Sequence, residues 1–244
     1  MSARVIIAIP VYNEGENIRA TLTELDAKVR VDAETWLVYD RDDDTTLAPA
    51  RELANKTRLP FRLVRNKYGR GALNAIKTGL EDAPGELVVV TMADLCDPPE
   101  VINDMVAVAD RDGADIVCAS RYMKGGHQFG GPRFKGFLSR TAGLLLCWFA
   151  RLPTHDPTNS FKLYRRKFLD SVKIESTGGF ELGLELVVKC RAMGGKIAEV
   201  PTTWRDRVAG KSNFKLWKWL PKYLRWFFYA FLHGTNSRKR PPAE

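Results

Sequence analysis

The sequence predicts an α/β protein built on a mostly parallel sheet with helices on both faces, and three observations carry that expectation. Short apolar runs bounded by polar or turn residues recur through the first half, helix-length segments separate them, and the most distinctive polar residues fall directly after the runs. Strands alternating with helices in this way form parallel sheets whose ligands sit at the carboxyl ends of the strands, near a topological switch point.

Taken in order, residues 5–10, 35–39, 61–65 and 86–92 are expected strands, with further ones at 115–120 and 196–201. Helices are expected over 16–29, 46–56, 71–83 and 180–193. Residues 137–152 form an apolar segment that suits either a core or a membrane face. Residues 121–136 carry five glycines and no periodicity, the pattern of a mobile or substrate-gated loop. Three strand ends are expected to converge on one edge: Pro10-Val11-Tyr12-Asn13-Glu14, Asp40-Arg41-Asp42-Asp43-Asp44 and Asp94-Leu95-Cys96-Asp97-Pro98-Pro99-Glu100. Four aspartates within five residues repel one another unless water, a cation or hydrogen-bond donors absorb the charge.

With 244 residues, 45% of them hydrophobic, the chain buries a full core as one large domain or as a domain with an appendage. Its net charge of +9 is unevenly spread. Residues 1–120 hold 14 Lys and Arg against 21 Asp and Glu, whereas residues 121–244 hold 24 against 8. The second half therefore faces an anion (nucleic acid, a phosphorylated ligand or lipid headgroups) or presents a solvated basic face. Cys96, Cys118, Cys147 and Cys190 form no CxxC pair, which argues against zinc or a disulfide framework and for a reducing cytoplasm. The first apolar run is too short for a signal peptide, and no stretch of roughly 18 apolar residues predicts a membrane span.

Between Trp204 and Trp226 seven bases meet one acid, with Phe214, Trp217, Trp219, Tyr223 and Trp226 interleaved. That composition suits a helix in a bilayer interface and would also stack single-stranded nucleic acid. The acidic first half and the lack of a recognisable binding motif speak against nucleic acid. His127, His155 and His233 are too scattered for a metal triad or a catalytic pair, and His155 reads as a residue of loop structure. Glu181 either orients a substrate or stabilises a helix N-terminus.

The order and spacing of several motifs carry a resemblance. They run from Ile9-Pro10-Val11-Tyr12-Asn13-Glu14 through Gly69-Arg70-Gly71-Ala72 with Gly79, Ala93-Asp94, Pro98-Pro99-Glu100, Ser120-Arg121-Tyr122 and Ser139-Arg140. Asp156-Pro157-Thr158-Asn159-Ser160-Phe161, Gly179-Phe180-Glu181-Leu182, Glu199-Val200-Pro201 and Arg207-Val208-Ala209-Gly210-Lys211-Ser212 follow. From about residue 5 to 214 the chain resembles the family-2 nucleotide-sugar glycosyltransferases, within them the dolichol-phosphate mannose synthase and polyprenyl-phosphate glycosyltransferase branch. The resemblance implies a Rossmann-like nucleotide-binding sandwich of GT-A type over residues 1–212. An amphipathic aromatic and basic membrane-interface segment is expected at 213–234, and a disordered basic tail at 235–244.

The same resemblance implies a donor site at Pro10, Tyr12, Glu14, Asp40, Gly71 and Asp94. Asp94, Arg121 and Arg207 are the expected catalytic residues. Arg121, Ser139, Arg140, Arg207, Lys211 and Ser212 would receive the acceptor phosphate. A Mg²⁺ or Mn²⁺ is implied on Asp94 with Asp97. The chain departs from the family pattern twice: Tyr39-Asp40 stands where two acids are usual, and Met92 occupies the first position of the Asp-x-Asp pair. A thioether is a poor ligand for a hard cation, but one carboxylate with phosphate oxygens and water still holds Mg²⁺.

The implied reaction is an inverting transfer from a nucleotide-diphosphate sugar, of GDP-mannose or UDP-hexose type, to a polyprenyl or dolichyl phosphate. A phosphate monoester, with a second pKa of about 6, attacks without strong general-base help. The implied partners are the nucleotide sugar, the lipid phosphate and an anionic membrane surface, with a separate membrane protein or a second copy of the chain. The expected location is peripheral, on the cytoplasmic face. Two other readings stay open. One is a soluble or glycan acceptor, whose hydroxyl would need a base. The other is a nucleotidyltransferase, which would usually carry a glycine-rich basic loop where this chain has Tyr12-Asn13-Glu14.

Overall fold

The structure, a computed structural model, describes residues 3–206 and 216–233. The first half alternates strands and helices, as expected apart from α4, for which no helix was expected: β1 (Val5–Val11), α1 (Ile18–Lys28), β2 (Ala33–Tyr39), α2 (Leu47–Glu52), β3 (Phe61–Arg65), α3 (Ala72–Asp82), β4 (Leu87–Val90), α4 (Val101–Asp112) and β5 (Ile116–Ser120). There follow β6 (His127–Phe129), α5 (Arg133–Trp148), β7 (Lys162–Arg165), α6 (Arg166–Ser171), α7 (Glu181–Ala192), β8 (Ile197–Pro201), β9 (Thr203–Arg205) and α8 (Leu216–His233).

Seven strands form one sheet in the order β3-β2-β1-β4-β7-β5-β8. All neighbours are parallel except β7, which runs antiparallel to both β4 and β5. From β1 the chain moves outward through β2 to β3, then crosses back to β4 on the other side of β1. The switch point therefore lies between the carboxyl ends of β1 and β4. One face of the sheet is covered by α1 and α4, through Ile18, Leu22 and Leu25 and through Ile102, Met105 and Val106. The other is covered by α3 and α5–α8, through Ile76, Leu80, Leu146, Leu186 and Trp226. Because both faces are covered, β1 and β4 are almost wholly apolar rather than alternating.

The structure refines three expectations. Residues 121–136 are not a featureless loop: β6 pairs in parallel with β9, Gly130 and Gly131 turn the chain at φ +78° and +77°, and α5 starts at Arg133. Second, the apolar helix expected at 137–152 spans Arg133–Trp148 and divides its faces. Leu146 is buried in the core, whereas Phe134, Phe137, Trp148 and Phe149 are exposed.

Third, the aromatic residues of the C-terminal segment do not all face outward. Trp226 is 2% exposed and donates its indole N–H to Ser176 Oγ (3.1 Å), and Trp219 packs on Phe180. Gly179 allows this approach, because a Cβ there would collide with the Trp219 ring. Burying an indole removes about 200 Å² from water, on the order of 5 kcal/mol, so α8 is held as part of the core rather than as an appendage. The outer face of α8 is instead Leu224, Phe228, Phe231 and Leu232. The junction expected at 212–213 and the tail expected at 235–244 lie outside the described residues.

Candidate active site

The switch-point crevice is lined by two turns with residues in left-handed backbone. Past β1, Tyr12 is 57% exposed and Asn13 has φ +55°. Asn13 N–H donates to Asp44, Glu14 N–H to Thr46 Oγ1 (2.9 Å), and the Glu14 carboxylate accepts from Asn17 Nδ2 (2.7 Å). Pro10 lies within β1, opposite Val38. The acidic run after β2 is thereby sorted: Asp44 is buried and fastens the β1 turn, Asp43 pairs with Arg41, and Asp42 pairs with Arg65.

Asp40 fastens a third turn. Its Oδ1 accepts from Asn66 Nδ2 (2.7 Å) and its Oδ2 from Gly71 N–H (2.8 Å). Asn66 Nδ2 also donates to Gly69 O, and its Oδ1 accepts from Tyr68 N–H and Thr78 Oγ1. Gly69 and Gly71 sit at φ +87° and +118°, conformations that L side chains rarely adopt. A Cβ on Gly71 would meet nothing, so backbone conformation rather than packing requires the glycine.

Past β4, Asp94 Oδ1 accepts from Cys96 N–H (3.2 Å) across Leu95, a non-glycine at φ +52°. Non-glycine residues in this region cost on the order of 1 kcal/mol or more and gather at functional sites. Asp97 Oδ1 accepts from Asn159 Nδ2 and Thr202 Oγ1, each at 3.3 Å. Burial pushes the Asp97 carboxyl up to about 6, with the negative charges of Asp94 and Asp156 adding to the rise. Arg121 and the Asn159 hydrogen bond oppose it.

This donor set suits a hard cation shared with a ligand. Two carboxylates repel each other, Asp97 Oδ2 has no hydrogen-bond donor among the described residues, and Mg²⁺ commonly takes one or two carboxylates with phosphate oxygens and water. Met92 packs against the core, and no cluster of three His, Cys, Asp or Glu exists among the described residues to cage an ion.

Across β5 two of the expected acceptor residues, Arg121 and Ser139, share one network. Arg121 donates through its backbone N–H, Nε (2.6 Å) and Nη2 to Asp156, and through Nη2 to Ser139 Oγ (3.1 Å). Thr158 Oγ1 and Tyr122 Oη also bond Ser139 Oγ. Burial alone would raise the Asp156 carboxyl, but Arg121 overrides it and holds the group below the usual range. Arg121 is therefore a neutralised cation that holds Ser139. Arg140, next on α5, is exposed and makes no hydrogen bond or ion pair with any described residue. Arg207, Lys211 and Ser212 lie outside the described residues.

Several participants were not anticipated. Asn159 joins the two halves, donating from its side chain to Asp97 and from its backbone to Asp156. Arg205 N–H donates to Cys96 O (2.8 Å), tying the Asp94 turn to β9. His155 Nδ1 pairs with Glu199 Oε1 (2.6 Å), so its role in loop structure has a named partner. Glu181 is fully buried and accepts from the N–H groups of Gly178 and Gly179, an anchor for its own loop rather than a group open to substrate. The Asp-Pro-Thr-Asn-Ser motif gave the signal for Asn159, whereas the Asn159–Asp97, Arg205–Cys96 and His155–Glu199 contacts join residues far apart in sequence.

Comparison with known proteins decides the family. The glycosyl transferase family 2 profile matches residues 6–173. The chain belongs to glycosyl transferase family 2. It is 32% identical over 227 residues to the dolichol-phosphate mannosyltransferase of Pyrococcus furiosus, covering 91% of this chain and 62% of that protein's length. To the polyprenol monophosphomannose synthase of Mycolicibacterium smegmatis it is 28% identical over 217 residues, covering 86% of this chain and 80% of the relative. The fold is that of GT-A glycosyltransferases. Glucosyl-3-phosphoglycerate synthase from Mycobacterium tuberculosis, solved with Mn²⁺ and UDP, superposes with a TM-score of 0.68 at 17% identity over 95% of this chain and 80% of that one. A mannosyltransferase from Pyrobaculum calidifontis, solved with GDP-Man and Mn²⁺, gives 0.66 at 19% over 99% and 67%.

Proposed function

We propose that the chain is an inverting glycosyltransferase that moves a sugar from a nucleotide diphosphate to a polyprenyl or dolichyl phosphate at a membrane surface. Helix α5 is the observation that carries the acceptor. Its inner face places Ser139 in the Arg121 network, Arg140 beside it is exposed with no ion-pair partner among the described residues, and its outer face exposes Phe134, Phe137 and Trp148. One helix thus offers a phosphate site and a hydrocarbon-like surface a turn or two apart, which matches an anionic head on an apolar tail. The outer residues of α8 extend that surface, and neither helix contains an acid. Among the described residues no helix is long and apolar enough to cross a membrane. On this reading attachment is peripheral, through these apolar and basic faces, on the cytoplasmic side.

The donor lies in the β1–β4 crevice, with its diphosphate toward Asp94 and its base toward Tyr12 and Asp40. A Mg²⁺ or Mn²⁺ on Asp94, with Asp97 beside it, would neutralise charge on the leaving diphosphate. The acceptor phosphate is ionised near neutrality, so an oxygen of it attacks the anomeric carbon directly. The bond from that carbon to the diphosphate oxygen breaks, and the nucleotide leaves with the electron pair. Arg140, Ser139 and the residues expected at 207–212 orient the phosphate, as arginine's planar fork suits. Arg121 acts through Ser139, as a positioning residue.

The test supplies nucleotide-activated sugar with a short polyprenyl phosphate in anionic vesicles, and separately with a soluble glycan. The expected result is transfer to the lipid phosphate, together with flotation of the protein that is lost when Phe137, Trp148 and Phe228 become Ser. Transfer to the glycan alone, or flotation unchanged by those substitutions, would overturn the acceptor assignment.

A further inference from the structure

A second basic recess lies on the flank of α8, away from the β1–β4 crevice. A cavity of about 190 Å³ separates α8 from the loop before α7, with room for several waters or for a phosphate group in their place. Ser176, Thr177 and Glu181 line it from the loop and α7, and Lys222, Arg225 and the buried Trp226 line it from α8.

The charges of this recess do not cancel. Glu181, its single acid, gives one carboxylate oxygen to each of the Gly178 and Gly179 N–H groups. Glu175, whose carboxylate feels Arg225, is paired with Lys189 at 2.7 Å. Lys222 uses one N–H on Thr177 O (2.9 Å), and its stem lies so close over Gly178 that a Cβ there would collide with Cδ. Arg225 is exposed, lies over the Trp226 ring at 4.7 Å and has no carboxylate partner among the described residues. Ser176 is only 9% exposed; its Oγ accepts from the Trp226 indole, and its own O–H has no acceptor among the described residues. The recess therefore offers donors: two N–H groups of Lys222, the Arg225 fork and a buried hydroxyl. Such a set suits a phosphate.

Its place on α8 says which phosphate. At about 100° per residue, Trp219, Tyr223, Trp226 and Ala230 share the face toward the core, and Leu224, Phe228, Phe231 and Leu232 share the exposed apolar face. Lys222 and Arg225 fall on one flank between the two. With the apolar face sunk about 5–10 Å into a bilayer, that flank stands at headgroup depth. A phosphate met there belongs to a lipid. A headgroup with an ammonium of its own would bring that charge to Lys222 and Arg225, whereas an uncharged alcohol would not.

We propose that this recess binds the phosphate of an anionic phospholipid headgroup, at a site separate from the acceptor phosphate on α5; this rests on the membrane reading of α5 and α8 above and makes it lipid-specific. A headgroup seated there fixes the rotation of α8 on the bilayer, and with it the height at which Ser139 and Arg140 meet a membrane-borne acceptor.

Calorimetric titration of the full chain with monomeric dihexanoyl phosphatidylglycerol tests this, against dihexanoyl phosphatidylcholine and inorganic phosphate, beside flotation on vesicles of the long-chain lipids. Phosphatidylglycerol should saturate one site, with phosphatidylcholine and inorganic phosphate roughly tenfold or more weaker. Arg225→Lys, which keeps the charge and loses the planar fork, should weaken phosphatidylglycerol roughly tenfold, and Arg140→Gln should leave it unchanged. Diffuse attraction predicts the reverse: Arg225→Lys without effect, and about a fivefold loss for any surface charge removed, Arg140 included. That result, or phosphatidylcholine binding as tightly as phosphatidylglycerol, would overturn the site and leave membrane attachment standing. Inorganic phosphate binding as tightly as the lipid would overturn it in favour of a solute anion site. Absence of flotation on every vesicle would overturn the membrane reading with it.

Discussion

Asp97→Asn is expected to stabilise the protein, and only above a definite pH. In the folded chain burial and the neighbouring acids lift this carboxyl from 3.8 to about 6. The rise corresponds to about 3 kcal/mol of stability withheld when the group is ionised, and solvent reaching this half-buried side chain reduces the expected value to about 1–3 kcal/mol. Because the folded value lies above the unfolded one, the penalty is absent below about pH 4, grows between about pH 4 and 6, and is complete above that. Asparagine keeps an oxygen to accept from Asn159 and Thr202, so the substitution removes charge with little change in shape. Urea denaturation of both proteins in chelator, from pH 4 to 8, measures the difference through the midpoint at unchanged slope. A variant equally stable at pH 8, or a difference that does not vary with pH, would refute the reasoning.

Asp156→Ala should cost about 3–5 kcal/mol in urea denaturation, since it leaves the Arg121 guanidinium buried without its partner, and Arg121→Met in the same chain should restore part of the loss. Gly179→Ala should destabilise by about 1–3 kcal/mol and red-shift tryptophan fluorescence as Trp219 is displaced, with the penalty disappearing in a Trp219→Ala background. Asp94→Asn should abolish sugar transfer and weaken Mg²⁺-dependent nucleotide binding in calorimetry, yet leave the chelator-treated melting temperature nearly unchanged; full activity would mean that other groups neutralise the diphosphate.

The alternation of apolar runs and helical segments was legible because β1, β4 and β5 are uncharged, largely apolar runs, and the turns after β1, β2 and β4 meet where parallel strand ends must meet. Strand β7 escaped notice for a physical reason. It has four residues, two of them basic, and Lys162 is wholly buried with its ammonium on Asn159 O, so its charge masks a core position. Helix α4 carried a readable signal, Val101, Ile102, Met105, Val106 and Ala109 at helical spacing. On α8 the composition was plain, but which aromatics turn inward is decided by Gly179 and Ser176, some forty to fifty residues away. The Asp97, Asn159, Asp156 and Arg121 chain joins segments from β4 to the loop before β7, and no local pattern encodes it.

The missing acids of α5 and α8 have a further consequence. The charged side chains that these two helices give this surface are lysine and arginine, which keep their charge from mild acid to mild base. Its attraction to an anionic bilayer therefore answers to ionic strength, through a screening length of about 10 Å at 0.1 M salt, while the apolar contribution of Trp148, Phe149 and Phe228 does not. Raising salt should loosen the protein from such a bilayer, whereas shifting the pH between 6 and 8 should leave it where it is.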